Sequence, residues 1–229
     1  FAQHEVGGGS TTGSATATDS GAVGVKIRRA PARTTTTPRR TRPAPTRGLT
    51  AEQLNQLGDT LFEADQYDEA LEAYTKAVQL KPIATAYYHI GWIYNERDDY
   101  QAALTALQQA LRLNANYATA HDEIGYSYRN LKRYDEALAS YRRAITLDPA
   151  YAKAHYDLGW TLNAMKQYAD AIPSLRSAIR LKPNYPEAYY ELGYASRRLN
   201  RYQEAIAAYL QAISLKSAYA DAYFGLGDV

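Results

Sequence analysis

A glycine recurs at a nearly constant interval through most of this 229-residue sequence. Its six occurrences are 33, 34, 34, 34 and 34 residues apart, at Gly58, Gly91, Gly125, Gly159, Gly193 and Gly227. A fixed period of roughly 20–50 residues is typical of an array of small units that bury their apolar faces only against their neighbours. This part of the chain is therefore predicted to form a solenoid.

Two further landmarks recur along the units. Related segments surround the glycine, including YYHIGWIY, HDEIGYSY, HYDLGWTL and YYELGYAS, and a Tyr followed three residues later by Ala comes further along, as at Tyr134 and Ala137. Three units close near a proline, at Pro82, Pro149 and Pro183. Apolar side chains recur at helical spacing in both halves of a unit, so each unit is predicted to contain two amphipathic helices. The glycine lets these helices approach closely, because a β-carbon there would clash.

This pattern closely resembles the tetratricopeptide repeat, and the resemblance covers about four-fifths of the chain. The resemblance implies an all-α fold, a right-handed α-solenoid of antiparallel helix pairs that stack on their neighbours. We expect the solenoid at residues 49–229 and a non-globular, extended N-terminal arm at residues 1–48. Five full units are expected near residues 51–83, 84–117, 118–151, 152–185 and 186–219, followed by a half unit at 220–229. Thr50 and Gln53 can form a capping box before the first helix, and Pro173 should loosen a turn in the fourth unit.

Composition and motifs argue against catalysis. The sequence has no Cys, which excludes disulfides and thiolate chemistry, and it has no phosphate loop or nucleophile motif. His121 and His155 occupy equivalent places one unit apart, which does not favour a metal pair. No run approaches the ~20 apolar residues of a membrane span. We therefore predict a protein that is not an enzyme and has no cofactor, no metal site and no membrane span.

The resemblance also indicates where binding would occur. In this family the first helix of each unit lines a concave groove, and its exposed face lies three residues before the glycine, one after it and four after it. The residues predicted to form a peptide-binding groove are Tyr88, Trp92, Asn95, Tyr126, Arg129, Tyr156, Trp160, Asn163, Tyr190, Tyr194 and Arg197. Aromatic faces bind extended backbones, prolines and guanidinium groups well. The alternative is that these aromatic side chains pack against adjacent helices.

The predicted groove alternates with a period of two units. Trp accompanies Asn in units two and four, whereas Tyr accompanies Arg in units three and five. The chaperone-binding branch of the family grips a C-terminal carboxylate with basic residues and Asn in its opening unit. Asn55 and Asp59 stand at those places here, which argues against that activity.

The arm differs in charge from the rest of the chain. Residues 1–48 carry eight Lys or Arg against two acidic residues, and the remainder carries 18 against 22. Clusters of Gly, Ser, Thr and Pro cannot bury enough apolar surface to fold alone. The arm is consistent with a linker, an O-glycosylated stalk, a polyproline II ligand or a polyanion-binding segment. We expect part of residues 22–47 to order against a solenoid surface of another copy, through the assembly residues Val23, Val25, Ile27, Arg28 and Arg29.

The last unit is expected to lack its second helix, which leaves an apolar interface at Tyr223, Phe224 and Leu226. Either the chain is truncated there or another chain completes the unit. The favoured function is a self-assembling, filament-type scaffold whose copies join head to tail through the arm and this interface. The alternative is an adaptor whose groove binds an extended client peptide, and a nucleic-acid partner is disfavoured. An extracellular or cell-envelope location is expected, with the cytoplasm as the alternative.

Overall fold

The structure is a computed structural model that describes residues 48–229. Within that range it contains eleven α-helices and no strand. The first helices of the units are α1 (Ala51–Glu63), α3 (Ala84–Glu96), α5 (Ala118–Asn130), α7 (Ala152–Ala164), α9 (Pro186–Arg198) and α11 (Ala220–Gly227). The second helices are α2 (Tyr67–Leu80), α4 (Tyr100–Leu113), α6 (Tyr134–Leu147), α8 (Tyr168–Leu181) and α10 (Tyr202–Leu215). The predicted all-α solenoid is confirmed.

A capping box starts the first helix, as the sequence predicts. The hydroxyl of Thr50 accepts a hydrogen bond from the Gln53 amide at 3.2 Å, and the Gln53 side chain accepts one from the Thr50 amide at 2.9 Å. These bonds satisfy two backbone donors that a helix start otherwise leaves without partners. The array therefore has a defined first residue.

The recurring glycines lie where the two helices of a pair cross. A β-carbon on Gly125 would meet the Tyr141 ring at 2.6 Å, and one on Gly91 would meet Leu107 at 2.5 Å. Contacts this short do not occur between real side chains, so the close approach predicted for these glycines is confirmed. The residue on the facing helix alternates along the array, as Tyr74, Leu107, Tyr141, Leu175 and Tyr209. Gly227 has no such neighbour among the described residues.

The two rows of helices are packed differently. Consecutive first helices contact one another from α3 to α11, whereas consecutive second helices touch mainly the first helices on either side. The first helices are thus closer together and form the inner row, on the concave side, and the second helices form the outer row. The core between the rows is built from alanine, leucine, isoleucine and tyrosine side chains, such as Ala137, Leu138 and Tyr141.

Pro173 lies inside α8, and the helix continues without interruption from Tyr168 to Leu181. Its side chain is exposed on the outer row, away from the packed face. The looser turn expected there stays a prediction. No helix of the described range is long and apolar enough to cross a membrane.

Candidate functional site: the concave face

Two residues predicted to line the groove tie neighbouring units together instead. The Asn95 amide group donates to the Glu123 backbone carbonyl at 3.1 Å and to its carboxylate at 3.0 Å, and Ser127 donates to the Asn95 carbonyl at 2.6 Å. Asn163 makes the same pair of bonds to Glu191, at 3.1 and 2.9 Å. Asn95 is 1% exposed and Asn163 is 4% exposed. The expectation that these two side chains face a ligand is therefore corrected, because the following unit uses their donors.

The arginines of the alternating pattern also contact the following unit. Arg129 donates to Asp157 at 2.7 Å, and its guanidinium lies 4.9 Å from the Tyr126 ring centroid and 4.5 Å from that of Trp160. Lys153 joins Asp157, at 2.7 Å, to Asp122. Cation–π and ionic contacts together hold the Arg129 guanidinium at the middle of the inner row. The predicted groove residue Arg129 is thus largely enclosed by its own chain.

Arg197 shows a more open version of this arrangement. It donates to Asp228 at 3.0 Å, and its guanidinium lies 5.9 Å from the Tyr194 ring centroid. Its side chain is 25% exposed, against 13% for Arg129. The equivalent of Trp160 beside Arg197 is Asp228, so among the described residues the ring contact of Trp160 with Arg129 has no counterpart at Arg197. The two-unit alternation therefore reflects the hydrogen bonds between units. Asn donates to Glu at one junction, and Arg donates to Asp at the next.

The tyrosines three residues before the glycine pack against the next unit. Tyr156 lies 4.9 Å from Tyr185 between ring centroids and is 3% exposed, which corrects its assignment as a ligand contact. Tyr88 and Tyr190 make the equivalent contacts at 5.0 and 5.3 Å but remain partly exposed. The packing alternative is therefore right for Tyr156.

Both tryptophans keep part of their surface exposed. Trp92 packs against Phe62 at 4.7 Å and Tyr67 at 5.4 Å between ring centroids, and Trp160 packs against Arg129. The predicted groove residues that retain exposure are Tyr88, Trp92, Tyr126, Arg129, Trp160, Tyr190, Tyr194 and Arg197. Their role in binding a peptide stays a prediction.

The inner helices carry a surplus of acidic side chains, of which Asp122, Glu123, Asp157 and Glu191 are buried. The six inner helices carry ten acidic and four Lys or Arg side chains, whereas the five outer helices carry seven and six. Burial raises the pKa of Glu191 to about 7, although the hydrogen bond from Asn163 and the charge of Arg129 act in the opposite direction. Burial also raises the pKa of Asp122, and Lys153 opposes the shift. Carboxylates here lose hydration, and a positive group that approaches would stabilise their charged form.

The sequence analysis did not identify the carboxylates that accept hydrogen bonds from Asn95, Arg129 and Asn163. Glu123, Asp157 and Glu191 each lie two residues before the glycine of their unit, and all are buried. An acidic residue at one fixed position in three consecutive units was the available signal. The partner of each lies 28 residues earlier in the sequence, at a distance that only the stacking of units reveals.

The histidines have a local structural role. A ring nitrogen of His121 lies 3.2 Å from the carbonyl of Ala115, and one of His155 lies 3.1 Å from that of Pro149. Each therefore holds the loop that precedes its own helix. Across residues 48–229, no group of three or more His, Asp or Glu side chains is placed to hold a metal ion.

The predicted C-terminal interface is partly available. Phe224 is 72% exposed and Tyr223 is 52% exposed, while Leu226 packs against the last core cluster. The predicted assembly residues Val23, Val25, Ile27, Arg28 and Arg29 lie outside the described residues.

An array of helix pairs with a concave inner row defines an α-solenoid scaffold. The family model "Tetratricopeptide repeat" matches residues 55–120 and 156–222, more than half of the chain, and the model "TPR repeat" matches residues 125–165. The chain belongs to the tetratricopeptide repeat family, as the sequence pattern predicts. It is accordingly a scaffold for interactions between proteins, and arrays of this fold are typically non-enzymatic.

The chain is also similar to individual proteins. Tetratricopeptide repeat protein 13 of Homo sapiens is 38% identical over 65 residues, which are 28% of this chain and only 8% of that protein. The structure of MamA has a TM-score of 0.64 at 24% identity and covers 72% of this chain and 96% of its own. That of YrrB, a TPR protein with an unusual peptide-binding site, has a TM-score of 0.64 at 22% identity, with 76% and 90% covered. Both structural likenesses establish the fold alone.

Proposed function

We propose that the concave face binds a basic, extended segment of a partner protein and that the chain acts as a non-catalytic adaptor. The observation that carries this proposal is the surplus of carboxylates on the inner helices, ten acidic against four basic side chains. The outer helices, with seven against six, have no comparable surplus. The members of this surplus that are exposed, such as Glu63 and Glu96, attract a cationic ligand, and salt screens that attraction.

The acidity is concentrated at the start of the array. The helices α1 and α3 carry Glu52, Asp59, Glu63 and Glu96 and no Lys or Arg. Trp92 lies on α3 with part of its ring exposed. A guanidinium or ammonium group bound here could use the exposed part of Trp92 together with the exposed carboxylates of Glu63 and Glu96, a combination that favours arginine.

The chain itself holds an arginine by these means. The guanidinium of Arg129 lies over the rings of Tyr126 and Trp160 and donates a hydrogen bond to Asp157. This arrangement supports the proposal because it shows that the spacing of aromatic and acidic side chains on adjacent inner helices accommodates a guanidinium. YrrB, whose fold is similar, is a TPR protein with an unusual peptide-binding site, and a groove function is in keeping with that likeness.

Titration of the protein with a labelled peptide of repeated Arg-Ala-Pro tests the proposal. We expect binding that weakens steeply with salt, and no binding of the matching Glu-Ala-Pro peptide. Trp92→Leu should weaken binding about tenfold, or ~1.4 kcal/mol. Tyr202→Leu, which removes an aromatic ring that is 47% exposed on the outer row, is the matched control and should leave binding unchanged. Equal effects of the two substitutions, with helicity retained, would contradict the groove assignment.

Self-assembly is a second candidate, and the exposure of Phe224 and Tyr223 on α11 supports it. Exposed aromatic side chains are suited to contact another subunit. Tyr223→Ser with Phe224→Ser should then abolish concentration-dependent association in sedimentation velocity. Leu113→Ser removes a leucine that is 49% exposed on α4 and is the control. Association that survives the double substitution would rule out this interface.

A further inference from the structure

We propose that the concave face takes, as its ligand, residues 28–47 of a second copy of this chain. The inference rests on the proposed function, since it names the source of the basic segment that the inner row binds. It is carried by the match in charge, chemistry and length between that segment and the inner helices.

The charges of the segment all have one sign. Residues 28–47 contain seven Arg and no acidic residue, at Arg28, Arg29, Arg33, Arg39, Arg40, Arg42 and Arg47. The inner helices carry six more acidic than basic side chains. Exposed carboxylates such as Glu63 and Glu96 attract these arginines over roughly the 8–10 Å that salt allows, and they favour this segment over neutral ones.

The chemistry is matched as well. Every basic residue of the segment is an Arg, and none is a Lys. Guanidinium groups stack on aromatic rings and form bidentate hydrogen bonds with carboxylates more readily than ammonium groups do. The inner row provides partly exposed rings at Trp92, Tyr126 and Tyr194 together with its acidic side chains. Arg129 shows the same combination formed within the chain.

The lengths agree. The segment has four prolines, at positions 31, 38, 43 and 45, which favour an extended polyproline II form of about 3.1 Å per residue. Its twenty residues would then span about 60 Å. Helices pack about 8–10 Å apart, so the six inner helices form a row of about 50 Å. One segment is thus long enough to contact the whole row.

The segment of the same chain is the competing occupant of the concave face. Association between copies depends on concentration, whereas a contact within one chain does not, so sedimentation velocity separates the two sources.

A complementation experiment on the full chain tests this inference. In the arm variant, all seven arginines of residues 28–47 are changed to Gln. In the groove variant, Glu63→Lys and Glu96→Lys reverse two exposed charges at the ends of α1 and α3. In the control variant, Glu72→Lys and Asp170→Lys make the same change in net charge on exposed residues of the outer row.

We expect the unchanged chain and the control variant to associate with increasing concentration in sedimentation velocity. The arm and groove variants should each associate at least tenfold more weakly. A mixture of these two variants should form a one-to-one complex, since one partner keeps its groove and the other keeps its arm. An unchanged chain that stays monomeric, an arm variant that associates normally, or a mixture that forms no complex would each overturn the inference.

Peptide titrations separate this inference from the proposed function. The arm variant is titrated with a peptide of residues 28–47, with its scrambled sequence and with the Arg-Ala-Pro peptide. Tighter binding of the native order than of the scrambled one supports the inference. If Arg-Ala-Pro binds and residues 28–47 bind no better than their scrambled form, the groove function stands and the inference fails. If no peptide binds, both fail.

Discussion

At the scale of single residues, the turn between the two helices of each unit contains a backbone conformation that side chains disfavour. Asp65, Asp98, Lys132, Lys166 and Asn200 have φ between 58° and 62°, in the left-handed region. In three of these turns the side chain accepts a hydrogen bond from the tyrosine two residues later, as Asn200 does from Tyr202 at 2.9 Å. Lys132 and Lys166 have no acceptor to offer. The turns of units three and four thus carry the strain without that bond.

Lys166→Asn should therefore stabilise the protein. Asn tolerates the left-handed region better than Lys, and its carbonyl can accept from the Tyr168 hydroxyl, so we expect the free energy of unfolding to rise by ~1 kcal/mol. Chemical denaturation measures the change. The reciprocal control, Asn200→Lys, should lower the free energy of unfolding by a similar amount, and a gain in stability from both substitutions would refute this explanation.

Glu191 makes stability depend on pH. Its pKa rises from an ordinary value of 4.5 to about 7 in the folded protein, mainly because it is buried. The folded state therefore binds its proton more tightly than the unfolded state, so protonation stabilises the fold. This stabilisation is fully present below pH ~4.5 and is lost as the pH rises through about 7. Glu191→Gln, which stays neutral, should consequently be more stabilising at pH 8 than at pH 5 in chemical denaturation. Equal effects at both pH values would contradict the assigned cause.

At the scale of helices, the pairs depend on close contact at the recurring glycine. The crossing partner is a tyrosine in units one, three and five and a leucine in units two and four, yet a β-carbon would clash in every pair. The clash falls on the side chain that fills the centre of the pair, where packing leaves little room to move. The glycine therefore determines how far the two helices of each unit are separated.

Gly125→Ala should overpack the third pair and lower the free energy of unfolding by ~1–3 kcal/mol, and Leu at this position should cost at least as much. Gly227→Ala is the matched control, because a β-carbon there meets no described atom within 4 Å. Thermal unfolding followed by circular dichroism gives both values. A neutral Gly125→Ala would mean that the register assigned to the helix pair is wrong.

At the scale of the whole molecule, the array has a structural period of two units. Asn95 and Asn163 bond to glutamates of the following unit, whereas Arg129 and Arg197 bond to aspartates. At each of these junctions, the Asn or Arg of one unit is therefore paired with a particular acidic residue of the next unit. In a solenoid the stability of the whole is approximately the sum of unit and interface contributions, so mismatched junctions should weaken it locally.

Removing units tests this period. Deletion of residues 118–185 takes out two units and brings Asn95 to Glu191, the partner that Asn163 has in the intact chain. Deletion of residues 118–151 takes out one unit and brings Asn95 to Asp157, a shorter carboxylate that is matched to Arg129. The one-unit deletion leaves the longer protein but a mismatched junction. We expect it to unfold at a lower temperature than the protein that lacks two units. If stability simply follows the number of units, the period has no energetic meaning.

Much of this architecture was determined by the sequence alone. The unit boundaries, the capping box at Thr50 and the close contact at Gly125 follow from local chemistry and from a period that repeats in register. Such features need only neighbours within one unit, about 34 residues, so their signals survive in the linear order of residues. The prediction of an all-α solenoid for residues 49–229 depended on nothing else.

The tertiary structure alone decided which side chains of the inner row are free to bind. Asn95, Asn163, Tyr156 and most of Arg129 face the concave side in the repeat pattern, yet bonds and ring contacts with the following unit enclose them. Trp92, at an equally outward position, keeps exposed surface. The sequence shows the face on which a residue lies, but its partner is set by how one unit stacks on the next. Stacking depends on side chains 28 residues apart, which are brought together only when the helices pack.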